Sequence, residues 1–201
     1  MKRIKDMLAS TRGWCPYSKA KRLYELVLEN KPHRIVEIGV YGGQSLFPMA
    51  YACRELDNPL EIFEIYGIDP WSMEEAEKQG SVDDNTRNLG FDKIFSDLYS
   101  KILQDKFDDL ITLVKATSEE AAGVLFDDPD TTIDFLHIDG RHDTPAVVQD
   151  LTLWLPKLTK QAIIVIDDYN WGSVKTGVDQ FPQLKLVELH PTWAIFRVEG
   201  E

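Results

Sequence analysis

The sequence predicts an open, doubly wound α/β sheet that is mostly parallel, with an antiparallel hairpin at its C-terminal end. Three observations carry that prediction. From Arg34 onward, short apolar runs alternate with segments of helical periodicity. Two of the runs, Ile133 to Ile138 and Ala162 to Ile166, deliver carboxylates at their ends: Asp139-Gly140-Arg141-His142 and Asp167-Asp168-Tyr169. The last two runs, Lys185 to Leu189 and Trp193 to Val198, are separated by only His190-Pro191-Thr192, a hairpin spacing.

Residues 1–16 form a lead-in with one or two helical turns, interrupted at Trp14-Cys15-Pro16-Tyr17. A helix follows from Ser18, its expected N-cap, to Asn30, with Ala20, Leu23, Tyr24, Val27 and Leu28 on one face. Lys31-Pro32 stops it. Arg34 to Ile38 is the first strand. The turn Gly39 to Gly43 leads from it into a helix over about Gln44 to Glu55. Asn58-Pro59 reads as a turn, and Glu61 to Ile68 as a second strand ending in Asp69. Residues 72–90 are an acidic excursion, either a lid or a surface loop. Phe91, Ile94, Phe95, Leu98, Tyr99, Ile102 and Leu103 then mark the clearest helix, whose stripe reads as core. A third strand spans Leu110 to Val114. Ser118 is placed to cap a helix from Glu119 to Leu125. The fourth strand is Ile133 to Ile138, and a helix with Pro145 in its first turn runs to about Leu158. The fifth strand, a short helix near Val174 to Phe181 and the hairpin complete a seven-stranded sheet.

With 201 residues, 43% of them hydrophobic and 28% charged, the chain is globular and long enough for a full core. No apolar stretch approaches the roughly 20 residues of a membrane helix, and the N-terminus lacks a signal-peptide core. A net charge of −12 argues against a nucleic-acid partner and points to a small-molecule substrate. Lys19, Lys21 and Arg22 cluster, but read as the solvated face of their helix. Cys15 and Cys53 have no metal-ligand spacing, which fits a cytoplasmic protein with free thiols.

In an open parallel sheet, ligands bind outside the carboxyl ends of the strands. Two neighbouring strands ending in Asp139 and in Asp167-Asp168 would build one acidic site there. The glycines of Glu37-x-Gly39-x-x-x-Gly43-x-Ser45 lie on a strand-to-helix turn, where they permit positive φ and close ligand approach. Asp69 is placed to accept from ribose hydroxyls. Tyr41 breaks the dinucleotide fingerprint, which makes a nicotinamide-dependent oxidoreductase a distant reading, and no phosphate-binding P-loop occurs. Glu37 beside the first glycine suits a ligand with a cationic amine.

These motifs, Glu37-Ile38-Gly39…Gly43-Gln44-Ser45, Gly67-Ile68-Asp69, Ile138-Asp139-Gly140…His142 and Val165-Ile166-Asp167-Asp168-Tyr169, resemble the class I S-adenosylmethionine (SAM)-dependent methyltransferases. Within them the chain is similar to small-molecule O-methyltransferases of the macrocin O-methyltransferase kind. The resemblance covers residues 34–201, a Rossmann-like methyltransferase domain behind a helical lead-in of residues 1–33. It implies that Glu37, Gly39, Tyr41, Gly43 and Ser45 hold the methionine part of SAM and that Asp69 holds the ribose. Thr117 and Ser118 lie where adenine contacts fall, and Asp139 lies near both cofactor and substrate. In metal-dependent relatives the corresponding carboxylates hold Mg²⁺; here they are Asp139, Asp167 and Asp168, an oxygen set suited to a hard cation. Such an ion would lower the pKa of a bound hydroxyl. His142 is the expected general base.

Two departures stand out. Arg141 replaces an acidic residue of many relatives, and Lys160-Gln161-Ala162 replaces a glycine pair expected at the turn before the fifth strand. Arg141 beside a metal would weaken it or else bind an anionic substrate. The expected function is therefore SAM-dependent, Mg²⁺-assisted methyl transfer to a hydroxyl of a small molecule, such as a sugar or glycosylated metabolite. A metal-binding, cephalosporin-hydroxylase-like enzyme and an inactive SAM-binding scaffold stay open as alternatives. Oligomeric state, including a homo-oligomer, is also open. Trp14, Trp71 and Trp171 are candidates to line a pocket.

Overall fold

The computed structural model describes residues 2–56, 62–78, 82–126 and 131–198. Two helices, α1 (Lys2–Ser10) and α2 (Tyr17–Asn30), precede the first strand, β1 (Arg34–Ile38). There follow α3 (Leu46–Glu55), β2 (Glu64–Asp69), the short helices α4 (Met73–Lys78) and α5 (Asp84–Leu89), and α6 (Phe91–Gln104). The second half comprises β3 (Ile111–Lys115), α7 (Ser118–Val124), β4 (Ile133–Ile138), α8 (Thr144–Trp154), β5 (Leu158–Asp167), α9 (Gly172–Val178), β6 (Leu184–Leu189) and β7 (Trp193–Val198).

The strands form one seven-stranded sheet in the order β3-β2-β1-β4-β5-β7-β6. Pairing is parallel from β3 through β5, and β7 runs antiparallel to both β5 and β6. The doubly wound class and the terminal hairpin are as expected. Alternation along the strands divides the core. Ile35, Ile65, Phe135 and Ile163 face one layer, with Leu23 and Val27 of α2, Phe47 of α3 and Ile94 of α6. Val36, Leu136 and Ile164 face the other, with Val147, Leu151 and Trp154 of α8 and Val174 of α9. Among the described residues no helix is long and apolar enough to cross a membrane.

Several boundaries move for local reasons. Helix α2 begins at Tyr17, with Pro16 in extended conformation as its N-cap and no side-chain cap, so Ser18 is not the cap. Lys31 closes that helix in the left-handed region. Helix α8 stops at Trp154 because Pro156 cannot donate a backbone hydrogen bond. A single 3₁₀ turn then feeds β5, which begins at Leu158, so Lys160, Gln161 and Ala162 are strand residues rather than a turn. The second strand begins at Glu64, and the expected Asn58-Pro59 turn lies outside the described residues. The described parts of the acidic excursion are mainly helix, α4 and α5.

Thr117, not Ser118, caps α7. Its hydroxyl accepts from the Glu120 N–H, and the Glu120 side chain accepts from the Thr117 N–H in return. Thr117→Ala should cost about 1 kcal/mol of stability, read as a lowered urea midpoint at unchanged slope.

Candidate active site

The register sets the site. Ile38 pairs with Ile68 and with Ile138, and Ile138 with Ile166. The next residue on each of these four strands therefore falls on one row: Gly39, Asp69, Asp139 and Asp167. That row borders the switch point between β1 and β4, where chain order reverses across the sheet.

Gly39 has φ 85°, and a Cβ built on it would lie 2.0 Å from the Asp139 carbonyl oxygen. The Gly39 N–H donates to Ile68 O at 2.9 Å, and the Asp139 N–H donates to Ile38 O at 2.8 Å, so the strands stay zipped beyond their ends. The glycine is thus required by a neighbouring backbone, whatever the ligand. Tyr41 adopts φ 49° without being glycine. Its N–H donates to Asp69 Oδ2 (2.9 Å), its carbonyl accepts from Trp71 Nε1 (2.7 Å), and its hydroxyl bonds Thr86 Oγ1 (2.8 Å). Asp69 Oδ1 accepts from the Trp71 N–H at 2.7 Å. Asp69 is thereby a brace for the glycine turn. Burial raises its pKa, and the backbone donors of Tyr41, Trp71 and Val40 oppose that rise. With three backbone donors on its two oxygens, one of its four lone pairs is left for a ligand hydroxyl.

Beneath the turn, Glu37 and His137 are fully buried and sit opposite one another in the β1–β4 register. Glu37 Oε1 accepts from Ser45 Oγ and lies 3.0 Å from His137 Nδ1. Glu37 Oε2 and His137 Nε2 have no hydrogen-bond partner among the described residues. The sequence reading assigned His137 no role. Its signal was available: it follows Ile133 and Phe135 at strand period two, a polar ring on an apolar face.

The acidic ends of β4 and β5 enclose a cation that sequence reading placed elsewhere. Lys19, read there as part of a solvated helix face, is 1% exposed. It lies on the buried face of α2 with Ala20, Leu23, Leu26 and Val27. Its Nζ donates to Asp139 Oδ2 at 3.1 Å and also to Asp167 Oδ2. Burial works against the charged lysine, yet Asp139 and Asp167 raise its pKa well above the ordinary value. Burial likewise opposes ionisation of Asp139, but Lys19 and His142 outweigh it and hold that carboxyl well below the usual range. For Asp167, burial and the Asp139 charge push the pKa up to about 6. Cys15, also near Lys19, is buried, and its thiol is pushed up to about 12 by burial.

Asp168, at φ 49°, meets His142. His142 Nε2 lies 3.2 Å from Asp168 Oδ2 and 3.7 Å from Asp139 Oδ1, as an ion-pair contact rather than an aligned hydrogen bond. Burial lowers the His142 pKa, Asp139 and Asp168 raise it, and the net direction is up. The imidazole is 27% exposed and packs 5.2 Å from the Trp171 ring. Arg141 does not enter the cluster: its guanidinium pairs with Asp143 at 2.8 Å on the exposed side.

The structure brings together Asp139, Asp167, Asp168 and His142 at one end, and Glu37, Gly39, Tyr41, Gly43, Ser45 and Asp69 around the turn. The side chains of Thr117 and Ser118 are committed to local structure, Thr117 to its cap and Ser118 Oγ as acceptor from Trp154 Nε1 at 2.9 Å. Of the candidate pocket tryptophans, Trp71 is buried against Phe95. Trp14 is exposed beside Tyr41, and Trp171 beside His142. Among the described residues, the carboxylates that converge with metal-ligand spacing are Asp139 and Asp167, together with His137. Asp168 is not among them.

A glycine turn after β1, an aspartate ending β2 and acidic ends on β4 and β5 define a Rossmann-like α/β protein of methyltransferase architecture. The chain belongs to the methyltransferase domain family, whose model matches residues 36–169. It is 29% identical over 158 residues to a Sinorhizobium fredii protein designated y4gI, covering 78% of this chain and 15% of that protein. The chain thus spans about 15% of the length of this curated relative. Among solved structures it is similar to the O-methyltransferase TomG of Streptomyces achromogenes, involved in tomaymycin synthesis and in complex with SAM. That match has TM-score 0.67 and 16% identity, covering 92% of this chain and 81% of that one. An O-methyltransferase from Bacillus cereus in complex with SAH is also similar, with TM-score 0.68 and 14% identity over 98% and 89% of the two chains. At these identities the structural likeness speaks for the fold.

Proposed function

We propose that this protein transfers the methyl group of SAM to a hydroxyl of a small molecule, with His142 as the base. The observation that carries this reading is His142 Nε2, held beside Asp168 and Asp139 and free of any hydrogen-bond partner among the described residues. The SAM and SAH complexes of the structural relatives support the cofactor. So does the site itself. Among the described residues Glu37 Oε2 is a buried acceptor without a hydrogen-bond partner at the foot of the turn, and Asp69 keeps a free lone pair for a ligand.

SAM supplies a methyl group on a positively charged sulfur, ready for in-line transfer to oxygen. The residues of this chain then have three tasks. The Gly39–Gly43 turn and Asp69 position the cofactor, and much of the rate comes from such positioning. His142 Nε2 accepts the proton of the acceptor hydroxyl as its oxygen bonds to the methyl carbon. Asp168 and Asp139 stabilise the imidazolium that results. The products are a methyl ether, S-adenosylhomocysteine and a proton that stays on His142, where Asp168 and Asp139 balance its charge. The charge of −12 supports a small-molecule acceptor rather than nucleic acid, and two buried free thiols support a cytoplasmic setting.

A Mg²⁺ ion held by Asp139, Asp167 and Asp168 does not fit this arrangement. Lys19 neutralises an oxygen of each of the first two, and the third faces His142. No step is therefore assigned to a metal. Arg141, expected to weaken a metal or to bind an anionic substrate, is paired with Asp143 outside the cluster.

Isothermal titration with SAM and with S-adenosylhomocysteine tests the reading. Micromolar binding of both is expected, weakened at least about tenfold, or ~1.4 kcal/mol, in Asp69→Asn. An intact wild-type protein that binds neither would overturn it.

A further inference from the structure

We propose that Lys19 is the built-in cation of this site: its ammonium takes the space between Asp139 and Asp167 that a divalent ion would occupy and excludes one. The consequence for catalysis rests on the methyl-transfer reading above; the exclusion of a metal does not.

The placement is specific. Lys19 is 1% exposed, on a helix whose buried face also carries Ala20, Leu23, Leu26 and Val27. A lysine is almost never buried unless it is paired, and this one donates to both carboxylates that end the adjacent strands β4 and β5. Those two carboxylates, with His137, are the group of described residues whose ligand atoms lie within 4.8 Å of one another. This donor set would otherwise be read as a metal centre. A divalent ion entering it would face a like charge, because the buried ammonium already bonds both carboxylates.

Lys19 acts here through Asp139, so it is a positioning residue. One Asp139 oxygen, Oδ2, is held by Lys19, and the other, Oδ1, lies 3.7 Å from His142 Nε2. The ammonium keeps Asp139 ionised and oriented toward the imidazole, a task that elsewhere could fall to a bound ion. A lysine cannot be removed by a chelator, so this site would not depend on metal supply.

The test is a titration of chelator-treated protein with Mn²⁺, following free Mn²⁺ by electron paramagnetic resonance. Wild-type protein is expected to show no site at millimolar Mn²⁺. Lys19→Met keeps most of the length of the side chain and removes the charge. It should gain one Mn²⁺ site, at least tenfold tighter than anything in wild type, that is lost again in Lys19→Met/Asp167→Asn. One Mn²⁺ bound by wild type and lost in Asp167→Asn would overturn the proposal, as would a folded Lys19→Met that gains no site. Should Lys19→Met fail to fold, the wild-type titration decides by itself. The SAM titration above is independent of every one of these outcomes, so a failure of the methyl-transfer reading is distinguishable from a failure of this one.

Discussion

Gly39→Ala is expected to be the most damaging small substitution in the chain. The added Cβ would sit 2.0 Å from the Asp139 carbonyl oxygen and 2.5 Å from its carbonyl carbon, both backbone atoms. Relief requires β1 and β4 to separate where the Asp139 N–H donates to Ile38 O and zips them together. Overpacking of this kind costs about 1–3 kcal/mol, and a non-glycine residue held at φ 85° adds about 1–3 kcal/mol. The sum, about 2–6 kcal/mol, reaches the lower end of the ~5–15 kcal/mol that holds a typical domain together. The expected result is a protein that is largely insoluble or has lost most of its unfolding free energy in urea. Gly123→Ala is the matched control. That position lies inside α7 with open space around it, so alanine should stabilise by about 0.5–1 kcal/mol. A Gly39→Ala variant as stable as wild type would show that the close strand approach is wrong.

His142→Ala should lower kcat by about 10²–10⁴ and leave the dissociation constant for SAM within a few-fold of wild type. The base works only as neutral imidazole, and its pKa is raised from the ordinary 6.5 by Asp139 and Asp168 against the effect of burial. The rate should therefore rise with pH, with its inflection above 6.5. Asp168→Asn removes one of the charges that favour the imidazolium, so it should move that inflection to lower pH. It should also slow turnover, because the developing imidazolium loses a partner. Activity of His142→Ala within about threefold of wild type would place the base elsewhere.

How much of this was legible in the sequence varies residue by residue. The strands announced themselves through β-branched runs, and the carboxylates at their ends were read in the right places because a strand's last residue is a local property. Gly39 was singled out for positive φ, which the structure shows at 85°, and for ligand approach. Its constraint comes from the Asp139 backbone on the adjacent strand, which no pattern around Gly39 reveals. Ser118 was given the cap that belongs to Thr117, although the capping-box spacing Thr117-x-x-Glu120 was there to be read and Ser118-x-x-Ala121 lacks its acidic partner. Arg141 drew attention as the cation nearest the acidic cluster in sequence. In space it turns outward to Asp143, and the cation inside the cluster is Lys19.

Lys19 marks the boundary between the two kinds of information. The helical repeat already put it on one face with Leu23 and Leu26, so its burial could have been read from periodicity. What that face would meet could not. Lys19 and Asp167 are 148 positions apart, and their pairing exists because α2 docks on the sheet at the carboxyl ends of β4 and β5. By itself the sequence determined the doubly wound sheet, the turn after its first strand and the carboxylates along its edge, because period and strand-end chemistry act over a few residues. Only the tertiary structure decided which groups share that edge, since burial makes an ammonium seek its counter-charges wherever the packing of whole elements has placed them.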